Sequence, residues 1–174
     1  MWQVEGETAS LALHYISDGC YRYTFRAKKV LAHVQSIIQP EWRILNLFAG
    51  QYRLGCGAEE IRVDSSNEFE PDFHMTADEF LQSEHNTGDY DAIIWDPPWN
   101  ERKSKEFYDG RYVGKFTRLK NATVASLKPG GIIISCGYEI TNFGKVRGME
   151  LVSVAVVNPH GEIRPYFVVV EQKA

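Results

Sequence analysis

Tyr90-Asp91-Ala92-Ile93-Ile94-Trp95-Asp96-Pro97-Pro98-Trp99 is the stretch from which the rest of the chain can be placed. Its first six residues form an apolar, β-rich run too short for a helix of its own. Its last four end any strand, because two successive prolines bring no N–H groups to a ladder. A buried strand that stops on Asp96-Pro97-Pro98-Trp99 puts a carboxylate, a fixed backbone carbonyl and an aromatic plane together at its tip.

Working outward, upstream of this strand Arg43-Ile44-Leu45-Asn46-Leu47-Phe48 is a second apolar run, turning at Ala49-Gly50. Ile61-Arg62-Val63-Asp64 is a short strand ending in an acid, residues 72–75 suggest another, and residues 77–82 a helix. Residues 25–39 set Val30, Leu31, Val34, Ile37 and Ile38 on one helical face that Pro40 ends, so residues 1–40 read as a helical segment before the core. Downstream, residues 116–127 read as a helix stopped by a turn at Lys128-Pro129-Gly130-Gly131, followed by a buried strand at 132–135. Residues 151–157 and 166–170 are β-rich and joined by Asn158-Pro159-His160-Gly161, a hairpin signal. Strands alternating with helices predict an α/β fold with a mostly parallel sheet, and the closing hairpin adds an antiparallel edge. In such sheets ligands bind beyond the carboxyl ends of the strands, where Gly50, Asp64 and Asp96 fall.

The composition is compatible with this. The chain has 174 residues, 44% hydrophobic and 24% charged, with a net charge of −4, which fits one globular domain spanning 1–174. No run is apolar enough to cross a bilayer and no basic-then-apolar leader opens the chain, so a cytoplasmic protein with no membrane partner is expected. Three scattered cysteines and five histidines show no ligand spacing, so no metal site is expected. Charge is unevenly spread. Residues 58–91 hold eleven acids and one base, whereas residues 101–120 hold seven bases and three acids. In the basic stretch Arg102, Lys103, Lys105 and Arg111 are interleaved with Tyr108, a pattern suited to backbone phosphates and stacked bases.

The chemistry of the tetrapeptide is specific. An exocyclic amine on a nucleobase has its lone pair drawn into the ring and is a poor nucleophile. Two acceptors, the Asp96 carboxylate and the Pro97 carbonyl fixed by Pro98, can grip its hydrogens and stabilise the positive charge that develops on attack, while Trp99 stacks on the base. Gly50 allows backbone to approach a ligand closely, and Asp64 is placed to accept both hydroxyls of a ribose.

Taken in order, Ile44-Leu45-Asn46-Leu47-Phe48-Ala49-Gly50, Asp64, Asp96-Pro97-Pro98-Trp99 and Leu127-Lys128-Pro129-Gly130-Gly131 resemble the class I S-adenosylmethionine-dependent methyltransferases. More narrowly they resemble the amino-group methylases of adenine N6. The resemblance implies a Rossmann-like sheet of about seven strands in the order 3-2-1-4-5-7-6, counted from the 43–48 strand. It implies S-adenosylmethionine as cofactor, with Phe48, Ala49 and Gly50 along its methionine and ribose side, Asp64 on the ribose and Phe25 near its carboxylate. Asp96, Pro97, Pro98 and Trp99 become the catalytic group.

Three positions depart from the family. Asn46 stands where an acid is usual, so a charge contact becomes a hydrogen bond. Tyr52 replaces a second glycine, and only ten residues separate Gly50 from Ile61, so the first crossover helix is a single turn or absent. The adenine-contacting acid falls at Thr76, leaving Thr76, Ala77 and Asp78 as candidates, with either Asp78 or a backbone amide in the role. The activity implied is methylation of an exocyclic amine, adenine N6 in DNA before RNA, with a second subunit or homodimer supplying target recognition. The alternatives are an RNA amino-methylase, an enzyme acting on a glutamine amide, and a catalytically silent nucleic-acid-binding partner.

Overall fold

The structure, a computed structural model, describes residues 11–19, 21, 23–57, 59–98, 116–160 and 164–174. Its strands are β1 (Ala12–Asp18), β2 (Arg43–Leu47), β3 (Glu59–Asp64), β4 (Phe73–His74), β5 (Tyr90–Trp95), β6 (Leu127–Gly137), β7 (Met149–Pro159) and β8 (Tyr166–Lys173). The described helices are α1 (Lys28–Ile37), α2 (Ala77–Gln82) and α3 (Thr117–Ala125). The strands form one sheet in the order β1-β7-β8-β6-β5-β2-β3-β4. All neighbours are parallel except β8, which runs antiparallel to both β6 and β7. Seven of these strands stand in the order the resemblance implies.

The central strands are buried on both faces, which is why they read as unbroken apolar runs. Ile44, Ile94 and Ile134 pack on one face beneath Val30 and Val34 of α1. Leu45, Leu47, Ile93, Trp95 and Ile133 pack on the other beneath Phe80 of α2 and Leu119 and Val124 of α3. Thr76 starts α2 with a capping box, its side chain accepting from the Glu79 amide while the Glu79 carboxylate accepts from the Thr76 backbone.

Two expectations are corrected. Within residues 1–40, expected to be helical, Ala12–Asp18 is an eighth strand. Strand geometry puts Ile16, which enters the core, on the face opposite Leu13 and Tyr15, 72% and 67% exposed, and parallel pairing with β7 from Ala12 to Asp18 holds the segment extended. Lys128-Pro129-Gly130-Gly131 is not a turn outside the sheet but the start of β6, where pairing with β5 is irregular between Tyr90 and Ala92. A Cβ on Gly131 would stand 3.0 Å from the Lys128 carbonyl and 3.1 Å from the Tyr90 carbonyl, so this close approach favours glycine.

The crossover between β2 and β3 has no helix in residues 51–57, as the short spacing predicts. Residues 138–148, between β6 and β7, hold only the 3-10 turn Lys145–Arg147. Leu54 fills the first gap, 1% exposed among the residues under α1, and Phe143 the second, edge-on to Trp95 at 5.3 Å.

Candidate active site

The carboxyl ends of the parallel strands share one rim, and β3 supplies the charged side chains on one side of it. Glu60, Arg62 and Asp64 alternate with Ile61 and Val63, so the three charged side chains share one face of the strand. That face lies under a loop rather than a helix, and a loop presents backbone groups that need partners. Glu60 accepts from the Leu54 amide at 2.8 Å and from the Asn46 side chain at 2.9 Å. Arg62, buried, donates to the carbonyl of Gly50 and to those of Phe69 and Glu70 at 3.3 and 3.2 Å. Asp64 accepts from the amides of Gly50 and Ser66, each at 2.8 Å. Gly50 is therefore gripped at both its N–H and its C=O, in a left-handed conformation (φ 52°) that suits glycine.

Beside this turn, Phe48 is also left-handed (φ 61°) and meets Trp95 edge-on at 5.3 Å. The Ala49 amide donates to the Val63 carbonyl at 3.1 Å, tying the turn to β3. Together these contacts shape an open cleft. One wall is Tyr23, Thr24 and Phe25, from the 3-10 turn before α1. The floor is the turn from Phe48 to Tyr52 with Asp64, and Asp96 and Pro98 close the far side. Among the described residues, Asp64 and Asp96 are the charged groups of the lining, and no cation faces it. A space with two carboxylates, four aromatic rings and no positive charge favours a ligand carrying positive charge next to polar hydroxyls.

Behind Asp96, burial pushes the Cys136 thiol far up and the Asp96 carboxylate adds to the shift, so Cys136 stays a neutral core thiol. Among the described residues no three His, Cys, Asp or Glu side chains are grouped to hold a metal ion.

The structure brings together Phe25, Phe48, Ala49, Gly50, Asp64, Asp96 and Pro98 from the sequence candidates, with Pro97 half-buried between the last two. It does not bring Asn46, Thr76, Ala77 or Asp78 to the lining. Asn46 is 0% exposed and spends its amide on Glu60; Thr76 caps α2; Ala77 is core; Asp78 is ion-paired with Arg118 of α3. These contacts supply a structural use for each. Trp99, Arg102, Lys103, Lys105, Tyr108 and Arg111 lie outside the described residues. Tyr23, Thr24 and Gln51 are lining residues that sequence reading did not pick out. Their only signal was adjacency to Phe25 and Gly50.

No protein-family model matches the chain, and no curated protein matches it. Solved structures do. A Streptococcus mutans protein assigned as a SAM-dependent methyltransferase superposes with a TM-score of 0.61 at 15% identity, over 83% of this chain and 48% of its own. TrmN from Thermus thermophilus gives 0.56 at 17%, over 84% and 48%. The Escherichia coli protein yhhF, assigned as a methyltransferase, gives 0.58 at 12%, over 90% and 89%. The chain thus spans about half the length of the first two. At these identities the likeness establishes the fold, a Rossmann-like sheet shared with methyltransferases.

Proposed function

We propose that this chain is an S-adenosylmethionine-dependent methyltransferase acting on an exocyclic amino group of a nucleic-acid base, and we assign adenine N6 in DNA. The observation that carries the reading is the presence of Asp64 and Asp96 in one aromatic cleft at the strand tips, with no cation among its described lining residues. That donor set fits the proposed cofactor: a carboxylate at Asp64 with lone pairs left for ribose hydroxyls, rings at Phe25 and Phe48, and net negative charge toward a sulfonium. When bound, S-adenosylmethionine supplies an electrophilic methyl group on a positively charged sulfur.

The chain's own residues do the rest. Gly50, fixed at both backbone groups, lets the cofactor approach the turn closely. The Asp96 carboxylate and the Pro97 carbonyl accept the hydrogens of the amine, so positive charge developing on its nitrogen is stabilised where it forms. No side chain must remove a proton first, because the amine becomes acidic only after the methyl arrives and then releases its proton to water. Positioning and the two acceptors account for the acceleration. A base inside a duplex must be turned out of the stack to reach this cleft.

The test is an Asp96→Ala protein, assayed for methyl transfer from labelled cofactor to mixed DNA and RNA, with mass spectrometry of the nucleosides. The turnover rate falls by about two to three orders of magnitude while the cofactor still binds. Methylation at the wild-type rate removes the mechanism. Methyl label on RNA alone, or on protein amides, replaces the DNA assignment. No calorimetric heat with millimolar S-adenosylmethionine leaves the catalytically silent reading.

A further inference from the structure

The cleft attracts positive charge, yet the proposed substrate is a polyanion, and residues 58–91 carry eleven acids against one base. Something at its lip must hold phosphates near those acids. Two exposed arginines stand there, and each lies over a tyrosine ring. The guanidinium of Arg164 is 4.9 Å from the ring centre of Tyr138, and that of Arg26 is 5.5 Å from the ring centre of Tyr21.

Sheet register fixes where the first pair sits. Trp95 pairs with Ser135 and Gly137 with Phe167, so Tyr138 follows the tip of β6 beside the Asp96-Pro97-Pro98 tip of β5, and Arg164 immediately precedes β8 on the next strand over. The second pair belongs to the segment that forms the cleft wall, since Arg26 directly follows Phe25, which lines the cleft while Arg26 faces out. Both pairs therefore lie on the strand-tip rim, one beyond the amine-gripping tip and one outside the wall opposite. Among the described residues neither guanidinium is paired with a carboxylate.

Resting on the proposed function, we infer that the Arg164–Tyr138 and Arg26–Tyr21 pairs are the strand-holding contacts of the nucleic-acid substrate, taking the phosphates that flank the target base. A guanidinium held over a tyrosine face keeps N–H groups pointing away from the ring and free to meet phosphate oxygens, and that contact leaves it less freedom to lose on binding. The charge layout then divides the labour: carboxylates inside the cleft face the sulfonium and the amine, and cations on the lip face the backbone.

The experiment uses the full chain, a fluorescein-labelled mixed-sequence 16-nucleotide single strand (DNA and RNA forms) and anisotropy across a salt series. Calorimetry with S-adenosylmethionine runs in parallel. Arg164→Ala and Arg26→Ala each weaken strand binding about tenfold, and each lowers the slope of log affinity against log salt by about one. Arg164→Lys recovers part of the affinity and the whole slope, because charge remains and the stacked fork is lost. Cofactor affinity stays unchanged in all variants. Unchanged strand affinity and slope in both alanine variants overturn the inference, as does parallel loss of cofactor binding. A wild-type chain that binds the cofactor but neither strand overturns the nucleic-acid reading itself, and one that binds no cofactor overturns the proposed function.

Discussion

Residues 48–57 and residues 138–148 pose the same problem and solve it alike up to a point. Each passes over a sheet face without an α-helix, so each lays backbone N–H groups against strands. Each is met by acids pointing up from a strand: Glu60 and Asp64 of β3 under the first, Glu171 of β8 under the second. Glu171 is 0% exposed and accepts from the amides of Asn142, Phe143 and Gly144, at 2.7 Å for Gly144. Asp64 holds two amides and is only half-buried on the cleft. The difference is one of access. An acid sealed under its loop can only hold the fold, whereas one with an open side holds the fold and keeps acceptor capacity for a ligand.

Glu171→Ala breaks the sealed side and gives the largest change expected. It strips three amides, that of Phe143 buried, of their acceptor at once and lowers unfolding free energy by about 3–5 kcal/mol, read from urea titration. Cofactor affinity of the folded fraction stays within about twofold, and a large loss of affinity would mean the two regions are not separable as described. Asp64→Ala inverts the pattern. Its stability cost is about 1–2 kcal/mol, since water can reach the freed amides, while cofactor affinity drops on the order of thirtyfold by calorimetry. Equal effects of the two substitutions on stability and on binding would erase the contrast.

A smaller and subtler effect separates the regions by acid. Asp72 supports the open side, accepting from the Arg62 amide and pairing with Arg53. Although burial alone would raise its carboxyl, the hydrogen bonds from Arg53 and Arg62 and their charge hold it below the usual carboxylate range. A depressed carboxylate stabilises the fold above its unfolded value of about 3.9 and loses that contribution as pH falls through the folded value. The urea midpoint of the wild type therefore falls more steeply below about pH 4 than that of Asp72→Asn. Parallel curves would place the acid sensitivity elsewhere.

Much of this was legible in residue order. Tyr90–Trp95 and Ala77–Gln82 match their predicted bounds, because each is bracketed by strong stops or caps, Asp96-Pro97-Pro98 in one case and Thr76 with Glu79 in the other. The turn and the tetrapeptide were legible for the same reason, since glycine and proline constrain the backbone whatever surrounds them. What residue order does not report is which partners engage the positions carried over from the resembling family. Thr76 and Asp78 sit at the expected places in the chain, but a capping box and an ion pair with Arg118 engage them. Those partners are set by packing between α2 and α3, which no local pattern reports. The alternation Glu60-Ile61-Arg62-Val63-Asp64 was visible, yet its meaning depended on a helix being absent above it. Glu171 in Tyr166–Lys173 reads as an intruder in an apolar strand until the loop above it is placed.

The first strand has one more effect, on timing. Ala12 pairs with Ser153, so β1 waits for a partner translated much later in the chain, and closing that large loop is slow and entropically costly. The segment carrying Tyr23, Thr24 and Phe25 hangs directly from that strand. A nascent polypeptide thus has its glycine turn and its proline tip well before it has a finished binding chamber, and competence arrives in one late step when β1 locks onto β7.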